Sequence, residues 1–343
     1  MPRHPPHQPP LHQRIGRRRA LAAMAGGLAL PFVARPAHAA ITWTLFCHHL
    51  DQSTAAVRGL RRMSDQIRDR TAGGMLLTVR TAGTLPIDAN EVLEGVRTGQ
   101  VEMGDDPVYN ATILPATVLR LPLLVTAPEE FGQASAVLRP FLEANLAQRG
   151  LVLVGHYRSA MQLFWSREKA ASFADIARQR LRVLSVEQGE FVRHYLGLHL
   201  TMANAEMADA LAEGRVDGTF STAFLVGRRW KAALKHVYLA GPNYNDSIIV
   251  AGSAALERLP ADMRAVVQQA AVDAGTWIAR TQDSEDQQIL RTLAGEGLKV
   301  TPADPNEIEA GIQKLAPFWD NWVRLRGSHA ENLLARIRQT LDR

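Results

Sequence analysis

From residue 40 onward, short apolar runs alternate with stretches in which apolar side chains recur every three or four positions. Residues 41–46 predict a strand. Ala56, Leu60, Met63 and Ile67 then share one helical face, behind a start near Asp51 or Ser53. Gly73-Gly74 ends that helix and residues 75–80 predict a second strand. Asp88 with Glu91 makes a capping-box pattern for the next helix. Residues 101–105, 151–156, 181–184, 216–220 and 248–250 read as further strands. Strand–helix–strand alternation predicts α/β layers with a mostly parallel sheet. From Pro260, the residues Met263, Val266, Val267, Ala270, Ala274, Trp277, Ile278 and Thr281 keep a 3.6-residue stripe that runs to about Ala294. A helix that long reaches about 50 Å, more than one lobe of this size, so it is expected to span two. Residues 307–343 read as helical, with Trp319 and Trp322 as packing aromatics.

One segment recurs. Glu91-Val-Leu-Glu-Gly-Val-Arg-Thr-Gly99-Gln-Val101-Glu102 is echoed by Glu206-Met-Ala-Asp-Ala-Leu-Ala-Glu-Gly214-Arg-Val216-Asp217, offset by 115 residues. In each, a helix ends at a glycine suited to the left-handed position and a strand begins with valine and an acid. Chance similarity between two ordinary helix ends is the alternative. If the echo is structural, two similar α/β lobes follow, with a ligand cleft between them at the carboxyl ends of the strands.

Composition changes the picture in three places. The length of 343 residues fits two domains. Cys47 is the single cysteine, which excludes an internal disulfide framework and a multi-cysteine zinc site. The net charge of +5 is a property of the leader: residues 1–39 hold six arginines and no acid, and taking six from the 39 basic residues leaves 33 against 34 acids. A basic nucleic-acid-binding surface is therefore not supported. Arg17-Arg18-Arg19 precedes an apolar run over 20–33, too short to span a bilayer, which ends at Ala37-His38-Ala39. This pattern resembles a twin-arginine export signal. The alternative is a cationic tail on a cytoplasmic protein. No later stretch reaches eighteen apolar residues, so a periplasmic protein without a membrane span is expected from residue 40.

In order along the chain stand Gly83-Thr84-Leu85, Leu121-Pro122-Leu123-Leu124, Phe173-Ala174-Asp175-Ile176 leading to Leu181-Arg182-Val183, Val216-Asp217-Gly218, Asn245-Asp246 and Leu259-Pro260. Over nearly the whole mature length this resembles the DctP-type solute-binding proteins of TRAP transporters (tripartite ATP-independent periplasmic transporters). The resemblance implies a two-lobed periplasmic-binding-protein-like fold and a long helix across both lobes. Residues 40–156 with 247–285 would form lobe I, and 157–246 with 286–343 lobe II and the C-terminal helices. It also implies closure around a small carboxylate and delivery to a membrane permease, by a protein expected to be a monomer with no cofactor.

Arg182 matches the family's carboxylate-binding arginine; a guanidinium offers parallel donors to both oxygens of one carboxylate. Ser185 and Gln188 pattern a helix start just beyond it. A surface role is the alternative, since Arg178, Arg180 and Arg193 lie nearby. Twenty residues upstream, where many members place a second arginine, this chain has Gln162, which suits a hydroxyl, keto or amide group; Arg158 reaches that place only through a shift. Trp165, with Phe164, either walls the pocket or packs a strand. Ser221 stands where many members carry the ligand-binding asparagine, and Phe220 and Phe224 suggest an apolar pocket. Some members use an acid there to hold a metal, so its lack argues against such a site. Asp106, beside Asp105, ends a strand and either meets a ligand donor or is a solvated loop acid. Tyr244 and Asn245, with Asn243, are hinge or pocket candidates. His48-His49-Asp51 resembles a metal cluster, but adjacent histidines in a strand point to opposite faces, so no metal is expected. His49 is kept as a cleft residue on the resemblance alone.

Gly-x-Ser-x-Gly, His-Glu-x-x-His and phosphate-loop motifs do not occur. A binding protein without catalysis is the leading reading. A binding protein for another uptake or sensing system is the second, and a periplasmic enzyme drawing on His48, His49, Asp105 or Asp106 is the third. A lone matched arginine with aromatics nearby fits a monocarboxylate better than a sialic acid or a dicarboxylate.

Overall fold

The computed structural model describes residues 40–343; the export signal expected at 1–39 lies outside the described residues. The first elements are β1 (Ile41–Cys47), α1 (Ala55–Arg70), β2 (Met75–Thr81), α2 (Val92–Arg97), β3 (Met103–Asp106), α3 (Tyr109–Thr112) and α4 (Pro128–Ala147). Next come β4 (Leu151–Met161), β5 (Leu163–Ser166), β6 (Arg180–Val183), α5 (Val186–His194), β7 (Leu198–Thr201), α6 (Met207–Ala212), β8 (Gly218–Ser221), α7 (Ala223–Arg229) and β9 (His236–Tyr238). The chain continues through β10 (Tyr244–Gly252), α8 (Ser253–Glu257), α9 (Ala261–Gly295), β11 (Lys299–Thr301), α10 (Pro305–Arg324) and α11 (Ser328–Thr340).

Two sheets result, ordered β2-β1-β3-β10-β4 and β11-β9-β5-β8-β6-β7. Apart from the added β11, they have the same plan. A first strand (β1 or β6) lies parallel to both its neighbours, and the last two positions are antiparallel. The sheets are therefore mixed rather than mostly parallel, because in each one strand (β10 in the first, β5 in the second) runs against its neighbours on both sides. The register repeats too. Leu45 and Phe46 face Met103 and Gly104, as Leu181 and Arg182 face Gly218 and Thr219. Phe46 and Arg182 thus hold equivalent positions, as do Asp106 and Ser221.

The sequence echo is structural. Gly99 (φ 75°) and Gly214 (φ 67°) both take the left-handed conformation. After each, the amide donates back to a matching carbonyl: Gln100 to Gly95 at 2.9 Å and Arg215 to Ala210 at 2.8 Å. Val101 and Val216 still bond to those same carbonyls, so β3 and β8 start two residues later than the apolar pattern predicts. Helix α1 is capped by Thr54, whose hydroxyl accepts from the Val57 amide, rather than by Asp51 or Ser53. At Asp88 only half a capping box forms: Glu91 accepts from the Asp88 amide at 3.3 Å, while the Glu91 amide goes to the Asp88 carbonyl.

Helix α9 serves two cores. Its first half buries Val267, Ala270, Ala274 and Ile278 against α1 and the first sheet. The contact with α1 needs Gly59, where a Cβ would come within 2.3 Å of Ile278. Its last turns place Ile289, Leu290 and Leu293 in the second core with Trp165, Val226 and Trp230. The other two links between sheets run side by side: the Gln162 amide donates to the Asn243 carbonyl at 3.1 Å, and Phe164 to Ala240 at 3.0 Å. A side chain at Gly241 would collide with the Gln162 carbonyl. No described helix is long and apolar enough to cross a membrane.

Since each left-handed glycine ends an equivalent unit, Gly99→Ala and Gly214→Ala should each cost about 1 kcal/mol. Urea unfolding of the single and double variants should show effects that add.

Candidate functional site

A cavity of about 300 Å³ lies where the parallel strands of both sheets end. That is the place where open α/β sheets leave a crevice and helix amides free. From the first sheet come His48 and His49 just past β1, Pro107 past β3, Tyr157 and Ser159 of β4, and the first turn of α1. From the second come Leu184 past β6, Asn204 past β7, and Ser221 and Thr222 leading into Phe224 and Leu225 of α7. Gln162 and Asn245 close the side where the chain crosses between sheets, and Gln282, Glu285 and Asp286 of α9 complete the wall. Its apolar side can sheathe carbon while few polar groups orient a ligand, the usual division in small-molecule sites.

Arg182 is fully buried and stands directly behind this wall. Its Nε donates to the Met202 carbonyl at 3.0 Å and one Nη to Asn204 Oδ1 at 2.7 Å. The other, Nη1, has no partner among the described residues. Among the described residues no carboxylate pairs with the guanidinium, whose Cζ lies 5.9 Å from the centre of the Trp230 ring. Burial pushes its pKa down to about 10, against the pull of Glu206. An unpaired buried cation costs several kcal/mol, so this position is poised for an anion. Ser185 caps α5 through the Gln188 amide, as its spacing predicts.

The acids around the cavity are otherwise committed. Asp246 takes Arg120 at 2.7 Å and His156 at 2.8 Å, together with the Tyr109 hydroxyl. Glu285 pairs with Arg58 of α1 at 2.5 Å. Asp105 is no solvated loop acid: it is buried and accepts from Tyr157 at 2.7 Å and Ser247 at 2.6 Å. Cys47 and His48 approach its other oxygen. Burial alone would raise the Asp105 carboxyl, but His48 and Ser247 hold it at about 2. Cys47, His48 and Asp105 stand within reach of one ion. However, both Asp105 oxygens are already used and burial keeps the thiol protonated, so the donor set suits a hydrogen-bond network.

The structure brings Gln162, Ser221, Phe224, Asn245 and His49 together on the cavity wall. His48 joins His49 there, because β1 ends at Cys47 and strand alternation no longer applies; the rings stack with centroids 3.9 Å apart. Burial and then His48 push His49 down to about 4, leaving it a neutral donor and acceptor. Four of the aromatics named from sequence, Phe164, Trp165, Phe220 and Tyr244, lie in the core instead. Phe220 alternates with Ser221 along β8, so it faces Phe164 and Phe191 on the far side. Trp165 is buried and donates to the Ser221 carbonyl, holding that strand end from behind. Tyr244 packs between Phe131 and the Arg158 guanidinium. Arg158 itself is spent on Asp283. Asp106 is buried rather than solvated and stands beside the wall, accepting from the Val108 amide at 2.7 Å. Sequence reasoning missed Asn204 and Asp286. The first gives no signal in an irregular segment, and the second reads as one more charge on a mixed helix.

Residues 46–325 match the model of the bacterial extracellular solute-binding proteins, family 7, known as DctP. A solute-binding protein of Sulfitobacter sp. (strain NAS-14.1) is 21% identical over 84% of this chain and 88% of its own. Among solved structures, a Bordetella pertussis extracytoplasmic solute receptor binding pyroglutamic acid is 24% identical, with a TM-score of 0.74 over 87% of this chain and all of that one. A TRAP periplasmic solute-binding protein of Roseobacter denitrificans with bound β-D-glucuronate is 20% identical, with a TM-score of 0.70 over 86% and 99%.

Burial, helped by Asp105, pushes the Asp106 carboxyl up to about 7. A raised acid favours the fold below its unfolded value, and that contribution is lost as pH rises through the folded one. Asp106→Asn should therefore match wild type near pH 4 and gain over it up to about pH 7, by about 4 kcal/mol at most, as read by denaturant melts across pH.

Proposed function

The chain belongs to family 7 of the bacterial extracellular solute-binding proteins, and on that premise we propose that Arg182 grips the carboxylate of a small organic acid as the two lobes close over it. That it is a solute-binding protein of the TRAP type follows from the family; which groups hold the solute is the proposal. The single observation that carries it is the buried guanidinium with no counter-ion among the described residues and an unused Nη1, one hydrogen bond behind the cavity wall. A carboxylate meeting Nη1 would cancel the cost of the unpaired charge. Asn204 is placed to yield or to share the bond. Gln162, Asn245, Ser221 and the neutral His49 would sort the ligand's remaining polar groups, and Phe224 with Leu225 would cover its carbon. The relatives support a carboxylate: one solved structure binds pyroglutamic acid and another holds glucuronate.

Closure in this reading is a population shift. The two links at Gln162 and Asn243 act as the hinge, which places the lobe boundary there, and α9 flexes or slides with them. The protein works as a monomer in the periplasm, exported by the twin-arginine route, and hands its ligand to a membrane permease chemically unchanged. The committed state of Asp105, the strongest candidate base, supports binding without chemistry.

Arg182→Met tests the assignment. Affinity for the acid released from the purified protein by denaturation should fall at least about 100-fold. The ligand-free melting temperature should stay within about 3 °C of wild type or rise, because an uncompensated buried charge is gone. Retained affinity in isothermal titration calorimetry would contradict it.

A further inference from the structure

We propose that Asp286 reads a charged or N–H-bearing nitrogen on the captured acid, so that the cleft selects zwitterionic, amino-acid-like carboxylates. The inference rests on Arg182 holding the carboxylate. Asp286 lies in the last third of α9, on the cavity wall, and is more than nine-tenths buried. Its two oxygens accept the first free amides of α7, from Ala223 at 2.7 Å and Phe224 at 2.8 Å. Those bonds fix the carboxylate and leave each oxygen a further lone pair.

What it lacks is a cation. The other two acids of the wall are paired, Asp246 with Arg120 and His156 and Glu285 with Arg58. Asp286 makes no ion pair among the described residues, and no lysine or arginine lines the cavity. Arg228, farther along α7, is turned away toward Ser53 and Asp51. Burial pushes the Asp286 carboxyl up to about 7, with Asp283 and Glu285 adding to the effect. The cleft thus holds two buried, unbalanced groups of opposite sign, Arg182 and Asp286. A simple carboxylate would satisfy only the first. A ligand carrying an ammonium or polarised N–H would satisfy both, and its charge would keep Asp286 ionised.

The test uses matched probes on the full mature chain: proline against cyclopentanecarboxylate, 4-aminobutyrate against butyrate, and phenylalanine against 3-phenylpropionate, extended over the common amino acids and their desamino analogues. Thermal shift followed by calorimetry should find an aminated member bound at least about tenfold more tightly than its partner. Asp286→Asn and Asp286→Ser should bring that ratio within about threefold, while Arg182→Ala weakens both members alike. If Asp286 only caps α7, its variants lower the melting temperature and leave the ratio unchanged, which overturns the proposal. Failure of every aminated probe to bind wild type overturns it as well. A desamino acid bound as tightly, and weakened by Arg182→Ala, overturns the role of Asp286 and leaves the carboxylate reading standing. Binding indifferent to Arg182→Ala removes that reading too.

Discussion

A guanidinium buried without a counter-ion among the described residues is the constraint around which this protein is arranged. Arg182 sits where the equivalent strand of the other sheet carries Phe46, so one lobe offers a charge where its counterpart offers only packing. Two neutral acceptors, the Met202 carbonyl and Asn204, hold the fork in place but do not cancel its charge. The fold tolerates this because β6 is the centre of a parallel trio, pinned by β7 and β8 on either side. A site of this kind is preorganised: the cost of desolvating the cation has been met in folding, and an arriving anion recovers it.

The rest of the architecture fits the reversible capture proposed for that anion. Two sheets with one plan place all their parallel strand ends toward a shared crevice, so each lobe supplies half a wall. Three links join them, two of them short and bonded to each other, with Gly241 permitting the close approach. Helix α9 is the third. It packs its first half in one core and its last turns in the other, and it presents Gln282, Glu285 and Asp286 to the cavity from between them. Arg228 of α7 reaches Asp51 and Ser53 just before α1, an exposed contact between facing elements of the two sheets. Such an exposed pair is weak alone, which suits a contact that must open again.

Much of this was legible along the chain because it depends on local rules. The stripe of α9 and the two left-handed glycines follow from periodicity and backbone sterics, and they carried the reading of two lobes bridged by a helix. The mixed character of the sheets was not legible, since strand direction depends on crossings between distant segments. Neither were β7, β9 and β11, whose three or four residues are too few to show a period. At the site, the resemblance to the family singled out Arg182 and Gln162. It could not say that Phe220 turns away while Ser221 turns in, because a one-residue difference in strand register decides that. Asp105 reads from sequence as a ligand contact or a solvated loop acid, and Asp286 carries no sequence signal of its own. Their partners come from segments more than fifty residues away, and burial of a charge is visible only once those partners meet.

The most direct measurement is a diffraction structure of the mature protein crystallised with the acid it carries. The account predicts a carboxylate oxygen about 2.8 Å from Arg182 Nη1, enclosed by residues of both sheets. A ligand lodged elsewhere in the crevice, with Arg182 still bonded only to Met202 and Asn204, would contradict it.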